Sequence, residues 1–415
     1  MASTRRIFLK NSALTMVGIG AAPHWLARSA WASTMSGKKK ILVAIFQRGA
    51  ADGLNVVIPY GESEYYRLRP TIAIPRPSII DLNGFFGFHP ALASLKPLWD
   101  QGHLAAVQAT GSPDPTRSHF DAQEFMESGT PGTKSTDDGW LNRALELDPM
   151  AGKSPMRAVA MGAQVPLTLQ GRVPAVAINN LNAFQVGGNQ RQPAAMAAGA
   201  DFAALYDGAA DAVLRPAGQD TFAALKLVQG LDPKTYQPAA GAAYPNQPLG
   251  RSLRQLAQLI KADVGVEVAF ADVGGWDHHV NEGNTEGQLA NSLRGFADAI
   301  NAFWTDLGPR QEDVVLVTMS EFGRTVHENG NRGTDHGHAN VMFVLGGAVK
   351  GGQVYGPWPG MSPNQLYENR DLAITTDFRD VLAEAVERHL GVDRLQGVFP
   401  GFQADPARFR NFLRA

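Results

Sequence analysis

Uninterrupted apolar runs of strand length recur along the chain, each bounded by Gly, Pro or polar residues. They occupy residues 41–46, 104–108, 266–270, 314–318 and 341–345. A short apolar run without polar alternation is typical of a strand that is buried on both faces. These runs predict a central sheet covered on both sides.

Segments with helical periodicity fill several gaps between these runs, at residues 91–99, 119–127, 253–260, 287–307 and 377–390. Strands that alternate with helices indicate βαβ units and an α/β fold whose sheet is mostly parallel. Ligands of such sheets bind at the carboxyl ends of the strands. Candidate chemistry is therefore sought at the residues that follow each run.

The N-terminus has the pattern of an export signal. Thr4-Arg5-Arg6-Ile7-Phe8-Leu9-Lys10 resembles the twin-arginine consensus, and Ala30-Trp31-Ala32 fits the small-x-small cleavage rule. The intervening apolar run of about ten residues is too short for a membrane span, which takes about twenty. We therefore expect a twin-arginine signal peptide at 1–32, recognition by that export machinery, no stable membrane span, and a periplasmic or secreted protein.

The remaining chain, residues 33–415, is predicted to be one α/β domain. Its segment at about 149–246 is rich in Ala, Gly, Gln and Pro and predicts an insertion or cap on the main sheet. Lys and Arg number 37, against 39 Asp and Glu, and the one basic run is Lys38-Lys39-Lys40. A nucleic-acid partner is not expected, because such binding needs a basic stripe.

The chain contains no cysteine. This excludes disulfides, thiolate metal sites and a cysteine nucleophile. A bound metal would need oxygen and imidazole ligands.

Acidic and imidazole side chains cluster where the predicted strands begin or end. The candidate metal ligands are Asp52, Asp277, His279, Glu321, Asp335, His336 and His338. Brought to one edge of a sheet, such groups can hold one or two divalent cations, with zinc and manganese the best matches. His278 and His279 should point to different sides if the chain is extended there, so we assign His279 to the metal and His278 to the substrate.

Ser118 precedes a predicted helix and is a candidate nucleophile, because a metal and the helix dipole both favour an alkoxide. Thr116 is its rival. Asp121, three residues after Ser118, also fits a simple capping pattern. Arg324 could bind an anionic substrate oxygen through two hydrogen bonds.

Five segments together resemble the exported bacterial family known as domain of unknown function 1501, which is related to the alkaline phosphatase and sulfatase superfamily. They are Arg48-Gly49-Ala50-Ala51-Asp52-Gly53-Leu54-Asn55, Arg117-Ser118-His119-Phe120, Gly274 to His279, Ser320-Glu321-Phe322-Gly323-Arg324-Thr325 and Asp335-His336-Gly337-His338. The resemblance implies an alkaline-phosphatase-like sandwich. It also implies Asp52 as first metal ligand, Ser118 as nucleophile, Asp277 with His279 as a later pair, and His336 or His338 as the late histidine.

Two departures from that superfamily matter. Glu321-Phe322 stands where the superfamily has Asp-His, so either Asp335-His336 supplies the missing ligands or one of two metal sites is absent. Pro113 occupies the position of the modified sulfatase residue, which excludes formylglycine chemistry.

The leading hypothesis is an exported metal-dependent hydrolase of phosphate or sulfate esters, in which Ser118 or a metal-bound water attacks. The alternative is a non-catalytic exported binding or assembly protein that retains the fold.

Overall fold

The computed structural model describes residues 40–148, 152, 154–181, 224, 227 and 235–414. The predicted signal peptide, 1–32, and residues 182–223 of the predicted insertion lie outside the described residues. These two expectations therefore stay predictions.

Nine strands of the described residues form a central sheet, and three short strands form a second one. The strands are β1 (Ile41–Gln47), β2 (Val57–Ile58), β3 (Ile80–Asp81), β4 (Gly87–Phe88), β5 (Leu104–Gly111), β6 (Ala158–Met161), β7 (Ala175–Ala177), β8 (Val268–Val273), β9 (Val314–Met319), β10 (Asn340–Gly346), β11 (Val354–Tyr355) and β12 (Thr376–Asp377). The central sheet has the order β11, β5, β10, β9, β1, β8, β6, β7, and β12 pairs with β5.

The central sheet is parallel except at one strand. β1 pairs in parallel with β8 and β9, so that Ala44 lies opposite Phe270 on one side and Val317 on the other. β10 runs antiparallel to both β9 and β5. The carboxyl ends of β1, β5, β8 and β9 and the amino end of β10 therefore share one edge of the sheet.

Helices cover both faces of the central sheet. They are α1 (Gly53–Val56), α2 (Ser63–Leu68), α3 (Lys96–Asp100), α4 (His119–Ser128), α5 (Trp140–Leu147), α6 (Pro248–Lys261), α7 (Gln288–Leu307), α8 (Phe378–Leu390) and α9 (Leu395–Val398). Alternate residues of β1 serve the two faces, because successive strand side chains point to opposite sides. Ile41, Val43 and Ile45 pack with α6 and α7, whereas Leu42, Ala44 and Phe46 pack with α5, α8 and α9.

The predicted α/β class with a mostly parallel, helix-flanked sheet is confirmed. β6 and β7 lie within the segment predicted as an insertion or cap, and they extend the central sheet beyond β8. Their runs of four and three residues are too short to be told from loop segments by hydrophobic pattern alone.

No helix in the described part of the chain is long and apolar enough to cross a bilayer.

Candidate metal centre

Three side chains meet at the edge where β1, β5, β8 and β9 end and β10 begins. His119 is the first residue of α4, Asp277 lies on the loop after β8, and His336 lies on the loop before β10. One ligand atom from each lies within 4.8 Å of the other two. We call these three residues the His–Asp–His cluster.

The spacing of the cluster fits a small cation. Nε2 of His119 lies 3.5 Å from Oδ2 of Asp277, and Nε2 of His336 lies 3.4 Å from Oδ1. Ligands at the usual zinc bond lengths stand about 3.3 Å apart at the corners of a tetrahedron. Nε2 of His119 is also buried and has no hydrogen-bond partner among the described residues. Such an orphaned acceptor is what a metal ligand requires.

Hydrogen bonds at Nδ1 orient both imidazoles. Nδ1 of His336 donates to the backbone carbonyl of Arg117 at 2.9 Å, and a carbonyl can only accept. Nδ1 of His119 donates to Oε1 of Glu321 at 2.7 Å. In each ring Nδ1 is therefore occupied and Nε2 faces the cluster, the arrangement in which an outer partner orients a ligating histidine.

Glu321 is buried and held by several donors. Its Oε1 also accepts from Gln123 Nε2 at 2.9 Å and from the backbone N–H of Gly49 at 2.8 Å. Burial opposes ionisation of this carboxyl, but the hydrogen bonds from His119, Gln123 and the backbone lower its pKa below the ordinary value. In return, the hydrogen bond to Glu321 raises the pKa of His119. A more basic imidazole is a stronger ligand.

Burial lowers the pKa of His336, which keeps this ring neutral near pH 7. Burial opposes ionisation of Asp277, but hydrogen bonding and charge from Arg324 lower its pKa overall. The cluster thus combines a neutral imidazole with an ionised carboxylate. Both are protonation states that metal ligands must have.

His279 places a fourth potential ligand atom next to the cluster. Its Nε2 lies 2.9 Å from Nε2 of His336 and 3.0 Å from Oδ1 of Asp277. Its Nδ1 lies 3.3 Å from Oδ1 of Asp335, and Asp335 also accepts from Asn329. Asp335 therefore contacts the cluster through His279.

The side chain of Arg324 makes its hydrogen bonds to the loops of the site. Its side chain is fully buried, and it donates to the carbonyls of Gly49, Ala50, Trp276 and Thr334 and to Oδ1 of Asp277. The guanidinium donates through Nε, Nη1 and Nη2. The sequence predicted a contact with a substrate oxygen, whereas in the structure Arg324 holds Asp277 and three loops in place.

Glycine is required at position 49 for two reasons. Its φ is +115°, and a Cβ there would lie 2.8 Å from the backbone nitrogen of Asp277. Side chains other than hydrogen are strained at such φ values. The absence of a side chain lets the β1 loop pass directly against the loop that carries Asp277.

Asp52 lies in a buried polar network away from the His–Asp–His cluster. Both of its carboxylate oxygens accept from the guanidinium of Arg69, which is itself fully buried and also donates to the carbonyls of Thr325 and Val326. The carboxyl group of Glu282 is buried near that of Asp52. Burial and the neighbouring Asp52 charge raise the pKa of Glu282, so Glu282 is the protonated partner.

The remaining predicted residues, Ser118, His278 and His338, make other contacts. Ser118 caps α4, and its Oγ accepts from the N–H of Asp121 at 3.5 Å. His278 is buried, and its Nδ1 lacks a hydrogen-bond partner among the described residues. His338 stacks on Tyr367 with ring centroids 4.3 Å apart, and burial lowers its pKa to about 4. The structure thus joins Asp277, His279, Asp335 and His336, and it places Asp52 and His338 elsewhere.

His119 is the cluster member that was not chosen from the sequence. It directly follows the proposed nucleophile Ser118. The pattern of a helix start indicates a role for the capping hydroxyl and none for the next residue. The available signal was its position just past the end of β5, on the same edge as the other candidates.

Comparison with known proteins gives a family and weak similarity to several solved structures. The family model described as Protein of unknown function (DUF1501) matches residues 39–398. No curated protein matches the chain.

Among solved structures, the C-terminal periplasmic domain of EcEptC from Escherichia coli, in complex with Zn, is 10% identical with a TM-score of 0.36, covering 75% of this chain and 73% of that one. The PsFucS1 sulfatase from Pseudoalteromonas sp. is 12% identical with a TM-score of 0.38, covering 89% and 71%. The alkaline phosphatase from the Antarctic bacterium TAB5 is 9% identical with a TM-score of 0.29, covering 75% and 93%. At these values the similarity carries no argument about activity, and the α/β assignment rests on the strands and helices described above.

Proposed function

The chain belongs to the DUF1501 family, and from the geometry of its candidate metal centre we propose that it is a metal-dependent hydrolase of phosphate or sulfate esters. The observation that carries the proposal is the His–Asp–His cluster, in which Nε2 of both histidines faces the carboxylate of Asp277. A divalent cation held there would polarise an ester oxygen and favour a deprotonated nucleophile.

Each residue of the centre has a proposed task. His119, Asp277 and His336 hold the cation, and His279 is a further ligand. Glu321 and Asp335 orient the imidazoles of His119 and His279, and Arg324 holds the carboxylate of Asp277. Since every donor is nitrogen or oxygen, zinc or manganese is the proposed ion.

Ser118 is the proposed attacking hydroxyl, because it precedes the ligand His119 at the start of α4. A helix N-terminus also favours the negative charge of the bound ester. Direct attack by water is the alternative, with Ser118 acting only as the cap. Either route consumes one water and releases an alcohol and inorganic phosphate or sulfate.

The proposed location is the periplasm or the exterior, reached by the twin-arginine route. The support is the leader with Arg5 and Arg6 and the fit of a cofactor site to a route that exports folded proteins.

Metal content and hydrolysis test the proposal together. The full chain, exported from its own leader, is assayed for bound metal by mass spectrometry and for turnover of 4-nitrophenyl phosphate and 4-nitrophenyl sulfate with added zinc or manganese. We expect one or two bound ions, and we expect Asp277→Ala and His336→Ala to lose both metal and turnover. His327→Ala, at an exposed position, is the control. Protein that binds no divalent ion and turns over neither ester would contradict the proposal.

A second candidate is a binding or assembly protein that keeps the fold. Two observations favour it: Ser118 Oγ serves as a cap, and Arg324 is buried among loop carbonyls. Such a protein would bind metal without turnover, and Ser118→Ala would leave its metal binding unchanged. Trapping of a phosphorylated or sulfated Ser118 would exclude it.

A further inference from the structure

Two large apolar side chains are exposed among the described residues, and each directly follows a histidine of the metal centre. Phe120 is 89% exposed and follows His119, and Val280 is 49% exposed and follows His279. They lie on separate segments, the start of α4 and the loop after β8. Consecutive Cα atoms are about 3.8 Å apart, so both residues border the centre.

The fold itself does not require phenylalanine at position 120. The buried face of α4 contains Ala122, Phe125 and Met126. At 100° per residue, Phe120 lies on the opposite side of the helix. A polar residue there would leave the core unchanged and would avoid exposing a phenyl ring to water.

The centre itself also contains an aromatic ring. The ring of Phe322, which is buried, lies with its centroid 5.0 Å from that of His119 and 4.9 Å from that of His336. The charged neighbour of Phe120, Asp121, is paired with Lys134. The acidic side chain next to Phe120 is therefore already neutralised by a partner.

We propose that Phe120 and Val280 form a recognition edge for an apolar group attached to the ester, so that the natural substrate is a phosphate or sulfate ester of an aryl or alkyl alcohol. This inference rests on the proposed function. The anionic head would lie at the His–Asp–His cluster, and the hydrophobic part would cover the phenyl ring of Phe120 and the side chain of Val280. Burial of these two side chains supplies affinity that an ester of a small polar alcohol lacks.

Binding of two non-hydrolysable anions tests the proposal without turnover. Zinc-loaded full-length protein is titrated calorimetrically with phenylphosphonate and with methylphosphonate, which share the head group and differ in the apolar part. We expect phenylphosphonate to bind roughly tenfold more tightly, since about 1.4 kcal/mol corresponds to a factor of ten. Phe120→Ser should remove most of this preference and leave the methylphosphonate affinity unchanged, Phe120→Leu should keep part of it, and Val280→Ser should reduce it less.

Zinc affinity and thermal stability are measured for each variant. They should stay at the wild-type values, because Phe120 is exposed and is not a ligand. Equal affinity of the wild type for the two phosphonates, with zinc bound, would overturn this inference and leave the proposed function standing. Absence of binding of both by zinc-loaded protein would overturn both. If Phe120→Ser changes the oligomeric state or partition onto lipid vesicles and not the phosphonate ratio, the edge serves a second copy or a membrane and the inference is wrong.

Discussion

At the residue scale, substitution of Glu321 tests whether this carboxylate strengthens His119 as a metal ligand. Glu321→Gln keeps an oxygen that can accept from His119, Gln123 and Gly49 but removes the negative charge that makes the His119 imidazole more basic. Loss of such an outer partner typically costs about 10–100-fold in metal affinity. We expect a loss of that size in zinc affinity, measured by competition with a chromophoric chelator.

The matched control for this variant is Glu286→Gln, since Glu286 is exposed and outside the centre. Zinc affinity that is the same in Glu321→Gln and the wild type would show that Glu321 does not act through His119.

Arg324 gives a second prediction at this scale. Arg324→Lys provides fewer donors than the five acceptors need, so several buried carbonyls lose their hydrogen bond. A buried group without its partner costs about 1–3 kcal/mol. We expect the free energy of unfolding in urea, measured without metal, to fall by about 3 kcal/mol or more. Unchanged stability combined with lost ester binding would instead favour the substrate contact predicted from the sequence.

At the element scale, the buried carboxyl pair joins segments that carry the centre. Asp52 and Arg69 connect the β1 loop and the end of α2 to the carbonyls of Thr325 and Val326. Glu282 accepts from Thr334, two residues before His336. These buried hydrogen bonds therefore connect the segments to one another at the sheet edge. The positions of the proposed ligands depend on them.

The pair predicts unequal effects of two similar substitutions. Asp52→Asn leaves the buried Arg69 charge without its counterion, which costs about 3–5 kcal/mol. Glu282→Gln replaces a group that is already neutral, and its cost should stay below about 1 kcal/mol. Free energies of unfolding in urea compare the two variants. Equal losses would mean that the charge lies on Glu282 as much as on Asp52.

The long apolar runs of the sequence predicted the positions of the strands well. They did not predict the direction of each strand or the side chains that pair across the fold. β1, β5, β8, β9 and β10 overlap the five predicted runs. The antiparallel direction of β10 is not encoded in its own residues, because a buried strand looks the same in either direction. Likewise Asp52 after a strand resembled a metal ligand, and nothing local showed that Arg69, 17 residues later, neutralises it.

At the scale of the whole molecule, two buried histidines predict how stability depends on pH. Burial lowers the pKa of His89 to about 4 and that of His389 to about 4, from an ordinary 6.5. Both make hydrogen bonds as neutral rings: His89 accepts from the N–H of Ala91 and donates to the carbonyl of Asn284, and His389 donates to the carbonyl of Ile41. Neither lies at the metal centre.

Below pH 6.5 the unfolded chain binds protons at these positions that the folded chain does not. Stability is therefore full above about pH 6.5 and falls as the pH approaches 4, by up to about 3 kcal/mol for each histidine. Urea unfolding of metal-free protein at pH 7 and pH 4.5 measures the fall. His89→Asn and His389→Gln should each make it about 2 kcal/mol smaller, whereas His327→Asn, at an exposed position, should not. A fall that is identical in all variants would assign the acid sensitivity to other groups.

The reversed direction of β10 has a consequence for how this centre can change. Because β9 and β10 are adjacent and antiparallel, residues 320–339 leave the sheet and return to it at the same edge, with Glu321 near one end and His336 near the other. This one segment thus supplies the imidazole of His336, a proposed ligand, and the carboxylate of Glu321, which accepts a hydrogen bond from His119. Exchanging this one segment would replace one proposed ligand, His336, and the hydrogen-bond partner of another, His119, without altering any strand residue.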